Sequence, residues 1–334
     1  MHFHRRFLQA LSALVVALFL ANSAALAQTK QPTTVNPTAE AVSEQQMLRE
    51  LDRVSGRVSI PDRQSATLIQ PEGRAWREFH EKTVPAIGTY SILGIIGLLV
   101  VFALLRGKIR LSRGMSGIKV LRFNVFERFV HWLTAVSFII LALTGLNIVF
   151  GKSLLLPLIG PEAFTTVTQY GKYAHNYLSV PFTLGIVLMI LIWIKDNIPN
   201  STDVTWFAQG GGLIGSAHPP SKRFNGGQKV IFWSVVLIGG AIAVSGFLMM
   251  FPFYNTTIAG MQLATLVHGI GGIVLTAIII AHIYIGSVGM EGAFDAMGSG
   301  EVDLNWAREH HSLWADEAVR VGSAGARPSA VPAE

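Results

Sequence analysis

Leu263–Ser287 reads LATLVHGIGGIVLTAIIIAHIYIGS, a stretch with no Asp, Glu, Lys or Arg but with two histidines, His268 and His282. An apolar run of this length crosses a bilayer as a helix, and hydrocarbon provides no water to satisfy an imidazole. The two histidines stand 14 residues apart. That interval is about 21 Å of helix and four turns less roughly 40°, so both rings leave nearly the same face, one near each membrane surface. Two other uncharged segments carry a histidine near their start, His131 and His175. Each can supply the partner of one ring on Leu263–Ser287, which gives two bis-histidine sites, one per leaflet.

The rest of the chain sets the sides. Four more uncharged stretches, Val84–Leu105, Phe129–Phe150, Tyr173–Ile194 and Val230–Phe251, are long enough to cross roughly 30 Å as helix. The loop Arg106–Arg128 holds seven basic residues against one acidic, and Lys195–Lys229 four against two, whereas Gly151–Lys172 and Pro252–Gln262 hold two basic residues and none. Cytoplasmic loops are the ones enriched in Lys and Arg, so the Arg-rich loops are expected there. His131 and His282 then share the cytoplasmic leaflet, and His175 and His268 the periplasmic one.

Composition agrees. A chain of 334 residues that is 51% hydrophobic and only 14% charged is an integral membrane protein. Residues 1–27 have a basic start, an apolar run from Leu8 to Ala21 and the small-residue sequence Ala25-Leu26-Ala27, the layout of a cleaved secretory signal. Residues 28–83 carry eight acidic and eight basic side chains and four prolines; they read as a periplasmic arm rather than a folded domain, with a short helix around Ala39–Val54. Segment 84–105 is an extra transmembrane helix without histidine, whose Gly88, Gly94 and Gly97 allow close helix contact. Residues 129–287 hold four helices, and 288–334 form a cytoplasmic tail. The net charge of +6 is topological, and no nucleic-acid motif accompanies it; membrane lipid is the expected surround.

The absence of cysteine excludes disulfides, thiolate-bound iron–sulfur clusters and thioether-linked haem in this chain. A tetrahedral zinc site needs more ligands than two histidines, and the spans contain no Asp or Glu. Paired imidazoles between helices suit haem b, with His131, His175, His268 and His282 as axial ligands. Gly145 and Gly246, each after a small hydroxylic residue, are candidates for clearance beside a flat porphyrin. Arg128 is a candidate partner for haem propionates. Such a site has no open coordination position, so it moves electrons. The fold class is therefore an all-α integral membrane four-helix dihaem bundle plus one additional N-terminal transmembrane helix. A haem-free anchor or transporter using the histidines for protons or metal ions is the alternative of another class.

Several motifs resemble one family over roughly Val120–Val319: Arg128-Phe129-Val130-His131-Trp132, Tyr173-Ala174-His175 with Asp196-Asn197-Ile198-Pro199, Arg223 to Lys229 leading into Phe232-Trp233-Ser234, and Trp306 to Trp314. Together with the His268/His282 interval, they make the chain similar to the cytochrome b (gamma) subunit of membrane-bound respiratory formate dehydrogenase. Dihaem subunits of hydrogenases and thiosulfate reductases share the haem helices. The resemblance implies the same two pairings, His131 with His282 and His175 with His268. It also implies a quinone site, for ubiquinone or menaquinone, at Asn225 and Gly227 beside His282, and partners in a catalytic molybdenum or tungsten alpha subunit and an iron–sulfur beta subunit. By itself the chain would not oxidise formate. The leader, the arm and the extra span depart from the shorter family members. His218 is expected to be solvated, and His310 and His311 to be structural contacts.

Overall fold

The computed structural model describes residues 54–57, 67–70, 73–213, 215, 218–252 and 256–320. The expected leader lies outside these residues. So does nearly all of the helix expected around Ala39–Val54, whose last residue instead opens a strand, β1 (Val54–Arg57), paired antiparallel with β2 (Thr67–Gln70).

Five helices are long and apolar enough to cross a membrane: α1 (Ala75–Arg106), α2 (Val125–Leu154), α3 (Leu156–Trp193), α4 (Gly226–Met250) and α5 (Ile258–Gly289). The protein is a multi-pass membrane protein, and its spans begin earlier than their apolar runs because polar residues start the helices. α1 extends back through the end of the expected arm, where Lys82 pairs with Glu78 at 2.9 Å and Arg77 with Glu81 at 3.0 Å, the i,i+4 spacing that supports a helix in water. At the head of α2, Asn124 Oδ1 accepts from the Glu127 N–H at 2.9 Å and Glu127 Oε2 from the Asn124 N–H at 3.0 Å, a reciprocal cap that satisfies two orphan donors. Asn225 and Gln228 repeat this at α4. The stretch Gly151–Lys172, expected as a loop, is helical nearly throughout; the chain bends at Gly160, whose φ of 78° suits a residue without Cβ.

α2 packs along α3, α4 along α5, and α1 against α5. The α2/α3 contact is close: a Cβ at Gly185 would lie 3.2 Å from the Thr134 Cα. Gly88 draws α1 in, since a Cβ there would lie 2.8 Å from Phe150 Cζ and 3.2 Å from Ile273 Cδ1. Gly94 and Gly97 face open space instead, so the expected close contact belongs to Gly88 alone. Val130 and Leu275 are fully buried in a cluster with Phe138, Leu141, Phe182 and Ile186. Outward residues such as Leu143, Leu191 and Leu237 are exposed, the pattern of a lipid-facing surface.

At the Arg-rich end, the tail folds back as a cap. β3 (Lys119–Leu121) pairs antiparallel with β4 (Glu301–Asp303), and short helices Leu304–His310 and Ser312–Arg320 follow. The Asp303 carboxylate accepts from the backbone N–H groups of Ser116, Gly117 and Asn305. Burial raises its pKa, but those donors and the Ser116 hydroxyl outweigh it, and the net shift is downward.

Gly185→Leu is expected to force α2 and α3 apart, at a cost of about 1–3 kcal/mol. A lowered thermal midpoint of the detergent-solubilised protein checks this; an unchanged midpoint refutes the close contact.

Candidate functional site

Two layers of paired imidazoles lie at the two ends of α5. At the Arg-rich end, here the basic end, the rings of His131 on α2 and His282 on α5 have centroids 6.3 Å apart at 60°. At the far end His175 on α3 and His268 on α5 stand 5.9 Å apart at 62°. The fully buried Leu275 lies between the layers in sequence. Each pair is the one expected from span order.

The far-end rings are held by a repeated device. Thr144 Oγ1 lies 2.7 Å from the Ile140 carbonyl, 3.1 Å from the Leu141 carbonyl and 2.8 Å from His175 Nδ1. A hydroxyl has one hydrogen and carbonyls only accept, so Thr144 donates to its own backbone and accepts from His175 Nδ1–H. On α4, Ser245 Oγ contacts the Ala241 and Ile242 carbonyls at 2.7 and 3.1 Å, and His268 Nδ1 donates to the same Ile242 carbonyl at 2.9 Å. Both rings therefore carry their proton on Nδ1 and keep the Nε2 electron pair free. The glycines after these hydroxyls make room for the imidazoles: a Cβ at Gly246 would lie 3.0 Å from His268 Cε1, and one at Gly145 3.4 Å from His175 Cε1. Their contact in the structure is with the histidines, where clearance for a porphyrin was expected. At the basic end no such device holds His131, whose Nδ1 is buried without a hydrogen-bond partner.

Asn225 caps α4: its Oδ1 accepts from the Gln228 N–H at 2.9 Å. Gly227 lies against Trp206, where a Cβ would be 2.9 Å from the ring; Gly226 and Gly211 crowd the same indole. Arg128 donates from Nη1 to the Gly298 carbonyl, tying α2 to the tail.

The basic end also holds a buried polar lock that the sequence reading missed. Glu127 is 7% exposed, yet its Oε1 accepts from Arg223 Nη2 at 2.6 Å and from Trp193 Nε1 at 2.9 Å, and Arg223 Nη1 reaches Asp196 at 3.1 Å. Arg122 donates from Nη2 to the Arg223 carbonyl at 2.6 Å and to His311 Nε2 at 3.1 Å, and lies over the Trp314 ring at 5.0 Å. Burial, and secondly the charge of Arg223, bring Arg122 down to about 9, against the pull of Glu127. His311, 1% exposed, donates from Nδ1 to the Lys222 carbonyl at 2.9 Å, so Nε2 is the acceptor that Arg122 needs. His311 is thus a structural contact, as expected, whereas His310 lies against the Trp306 ring at 5.3 Å with its Nε2 buried and without a hydrogen-bond partner. His218, expected in solvent, contacts Ser112 Oγ at 3.0 Å and Glu309 at 3.4 Å. Lys229, 4% exposed, pairs with Asp203 at 2.8 Å and donates to the Ile198 carbonyl. The motifs around Asp196 and Arg223 are therefore joined to one another in space.

A family model described as prokaryotic cytochrome b561 matches residues 122–300, more than half of the chain. The chain belongs to the prokaryotic cytochrome b561 family. It is 25% identical over 200 residues to the "Formate dehydrogenase, nitrate-inducible, cytochrome b556(Fdn) subunit" of Escherichia coli K12, covering 58% of this chain and 89% of that protein. It is 26% identical over 199 residues to the "Formate dehydrogenase, cytochrome b556(fdo) subunit" of the same strain (58% and 91%). A third relative, the "Formate dehydrogenase, cytochrome b556 subunit" of Haemophilus influenzae, is 25% identical over 208 residues (60% and 84%).

As a member of this family the chain is a cytochrome b, and haem b is its cofactor. The residues fit that group. With ring centroids 5.9 and 6.3 Å apart, His175 with His268 and His131 with His282 would be the residues to hold it. At the far end the tautomers leave Nε2 available, and no group of three or more His, Cys, Asp or Glu able to hold a metal ion occurs among the described residues.

The cap is expected to respond to pH. Burial above all pulls His310 down to about 4 and His311 well below its ordinary value, the latter pushed further by Arg122. Both are neutral in the folded protein, whereas the unfolded chain protonates below about 6.5. Their contribution is therefore full above that pH and is lost as pH falls toward 4. Proteolysis of the tail and the fluorescence of Trp306 and Trp314 are expected to report loosening over this window. A flat response down to pH 4 refutes the assignment.

Proposed function

We propose that this cytochrome is the membrane electron-transfer subunit of a formate dehydrogenase, holding two haem b groups and reducing quinone at its basic end. The observation that carries the reading is the pair of imidazole layers on α5, whose histidines stand 14 residues apart, about 21 Å of helix. All three relatives described above are named formate dehydrogenase subunits. That favours formate over hydrogen or thiosulfate as the electron source, and a cytochrome over a haem-free anchor or transporter.

In this reading His131 and His282 hold one haem and His175 and His268 the other. Haem b, when bound by two histidines, supplies reversible one-electron chemistry without an open position for substrate. The chain's own groups orient and insulate: Thr144 and the Ile242 carbonyl fix the far-end rings, and Leu275 and its neighbours keep water from the space between the layers. At the basic end a quinone accepting two electrons needs two protons and a donor at its carbonyl. Asn225 spends Oδ1 on its cap and retains the side-chain N–H groups for that role, while Gly227 keeps Trp206 against the same turn.

The charge bias of the loops supports a cytoplasmic basic end in a bacterial inner membrane. The far end then faces the periplasm, and an iron–sulfur subunit docks there between this chain and a catalytic molybdenum or tungsten subunit. Residues 1–27 serve as a signal, 28–83 as the periplasmic arm, 84–105 as the added span, 129–287 as the dihaem core and 288–334 as the cytoplasmic tail.

A reduced-minus-oxidised spectrum of the purified chain is expected to give two b-type haems per chain, falling to one in His268→Ala. Absence of a Soret band after adequate haem supply overturns the reading, and full haem in His268→Ala overturns the pairing. Asn225→Ser separates cap from donor, because serine caps about as well as asparagine but lacks the amide. It is expected to keep its thermal midpoint and both haems while quinone reduction slows; normal quinone kinetics removes Asn225 from the site.

A further inference from the structure

The two layers differ in what stands behind the rings. At the far end both imidazoles donate from Nδ1 to an oxygen that has no other proton to give: His175 to Thr144 Oγ1 at 2.8 Å, His268 to the Ile242 carbonyl at 2.9 Å. At the basic end His131 Nδ1 is buried with no acceptor, its ring meeting the edge of Trp132. An acceptor behind a ligating histidine draws the Nδ1 proton away, makes Nε2 a stronger donor, and favours the more positive state of the metal. The same device lowers the potential of a haem.

We propose that Thr144, acting through His175, together with the Ile242 carbonyl acting through His268, sets the far-end haem at a lower potential than the basic-end haem. Thr144 is a positioning residue: its hydroxyl proton is committed to the Ile140 and Leu141 carbonyls at 2.7 and 3.1 Å, which locks the oxygen as acceptor. The inference rests on the proposal that the two ring pairs each hold a haem. It adds a direction: an electron delivered at the far end finds the basic end energetically lower, so the polarity of the protein is written into hydrogen bonds that touch neither haem nor quinone.

The duplicated geometry makes an accidental contact a poor account. On α2 and on α4 alike, a hydroxyl side chain bonds its own backbone three and four residues earlier and is followed by a glycine against the ligand ring. At Gly246 a Cβ would lie 3.0 Å from His268 Cε1 and 3.3 Å from Nδ1, so a larger residue there would make the ring give by a few tenths of an ångström.

The test is a spectropotentiometric titration of the full chain in detergent, with low-temperature electron paramagnetic resonance of the oxidised haems. The wild type is expected to titrate as two components, and Thr144→Val, which keeps shape and removes the hydroxyl acceptor while leaving the Leu141 carbonyl beside His175, to move the lower one upward and leave the upper in place. Thr144→Ser restores the acceptor and is expected to titrate like the wild type, which a packing effect alone would not produce. If Thr144→Val fails to retain haem, Thr144→Ala provides the same loss of acceptor with less bulk. An unmoved lower component in a haem-replete variant, or movement of the upper component instead, overturns the inference. A wild type without haem would overturn the proposed function itself, so the two failures are distinguishable.

Discussion

An imidazole placed in hydrocarbon has two nitrogens to satisfy and no water to do it, and the arrangement of the four long core helices answers to that constraint. α5 carries two such rings on one face, and α2 and α3 each bring a ring to meet one of them. At the far end the outer nitrogens are settled by a hydroxyl and a carbonyl of the neighbouring helices, which leaves the Nε2 electron pairs free on two rings whose centroids are 5.9 Å apart. Helix contacts follow from the same requirement. Gly145 and Gly246 each lie against an imidazole, and Gly185 lies where α2 and α3 approach closely at Thr134.

The basic end is governed by buried charge. Arg122, Glu127 and Arg223 are largely removed from solvent, where an unpaired ion would be costly, and the two arginines are held by two carboxylates, Glu127 and Asp196, two backbone carbonyls and a neutral His311. The tail is a working part of this lock: without His311 and the ring of Trp314, Arg122 would lose an acceptor and a stacked face. Strands β3 and β4 fasten the same tail to the Arg-rich loop.

What could be read from the sequence follows from how each signal is encoded. The five spans are legible because hydropathy is additive along a helix, and the ring pairs because 14 residues fix both depth and face on α5. Helix ends are not legible that way: α2 and α4 begin at polar caps, Asn124 and Asn225, and α1 is extended by exposed ion pairs, all of which read as loop by composition. Residues 161–172 were hidden for the same reason, since threonines, a lysine and a glutamate mask a helix that turns at Gly160. Gly94 and Gly97 show the opposite failure, a small-residue pattern with no helix beside it. The lock of Arg122, Glu127 and Arg223 joins residues about a hundred apart, and no local signal announces it. The hydroxyl–glycine pairs at Thr144 and Ser245 were visible, but their partner could be identified only once the rings were placed.

The repetition of that pair bears on direction. In the proposed orientation, an electron passing between the layers moves toward the negative side of an energised membrane, and transferring one charge across the full potential costs about 2.3 kcal/mol per 100 mV. Layers separated by about 21 Å of a roughly 30 Å hydrocarbon core would span about two-thirds of that drop. A symmetric pair of sites would leave the whole opposing term to the electron donor and to quinone. Placing hydrogen-bond acceptors behind both far-end rings and none behind His131 offsets part of it within the protein. The cost of that asymmetry falls on His131, whose Nδ1 forgoes a hydrogen bond in a buried position. An unsatisfied donor of this kind is destabilising by about 1–3 kcal/mol.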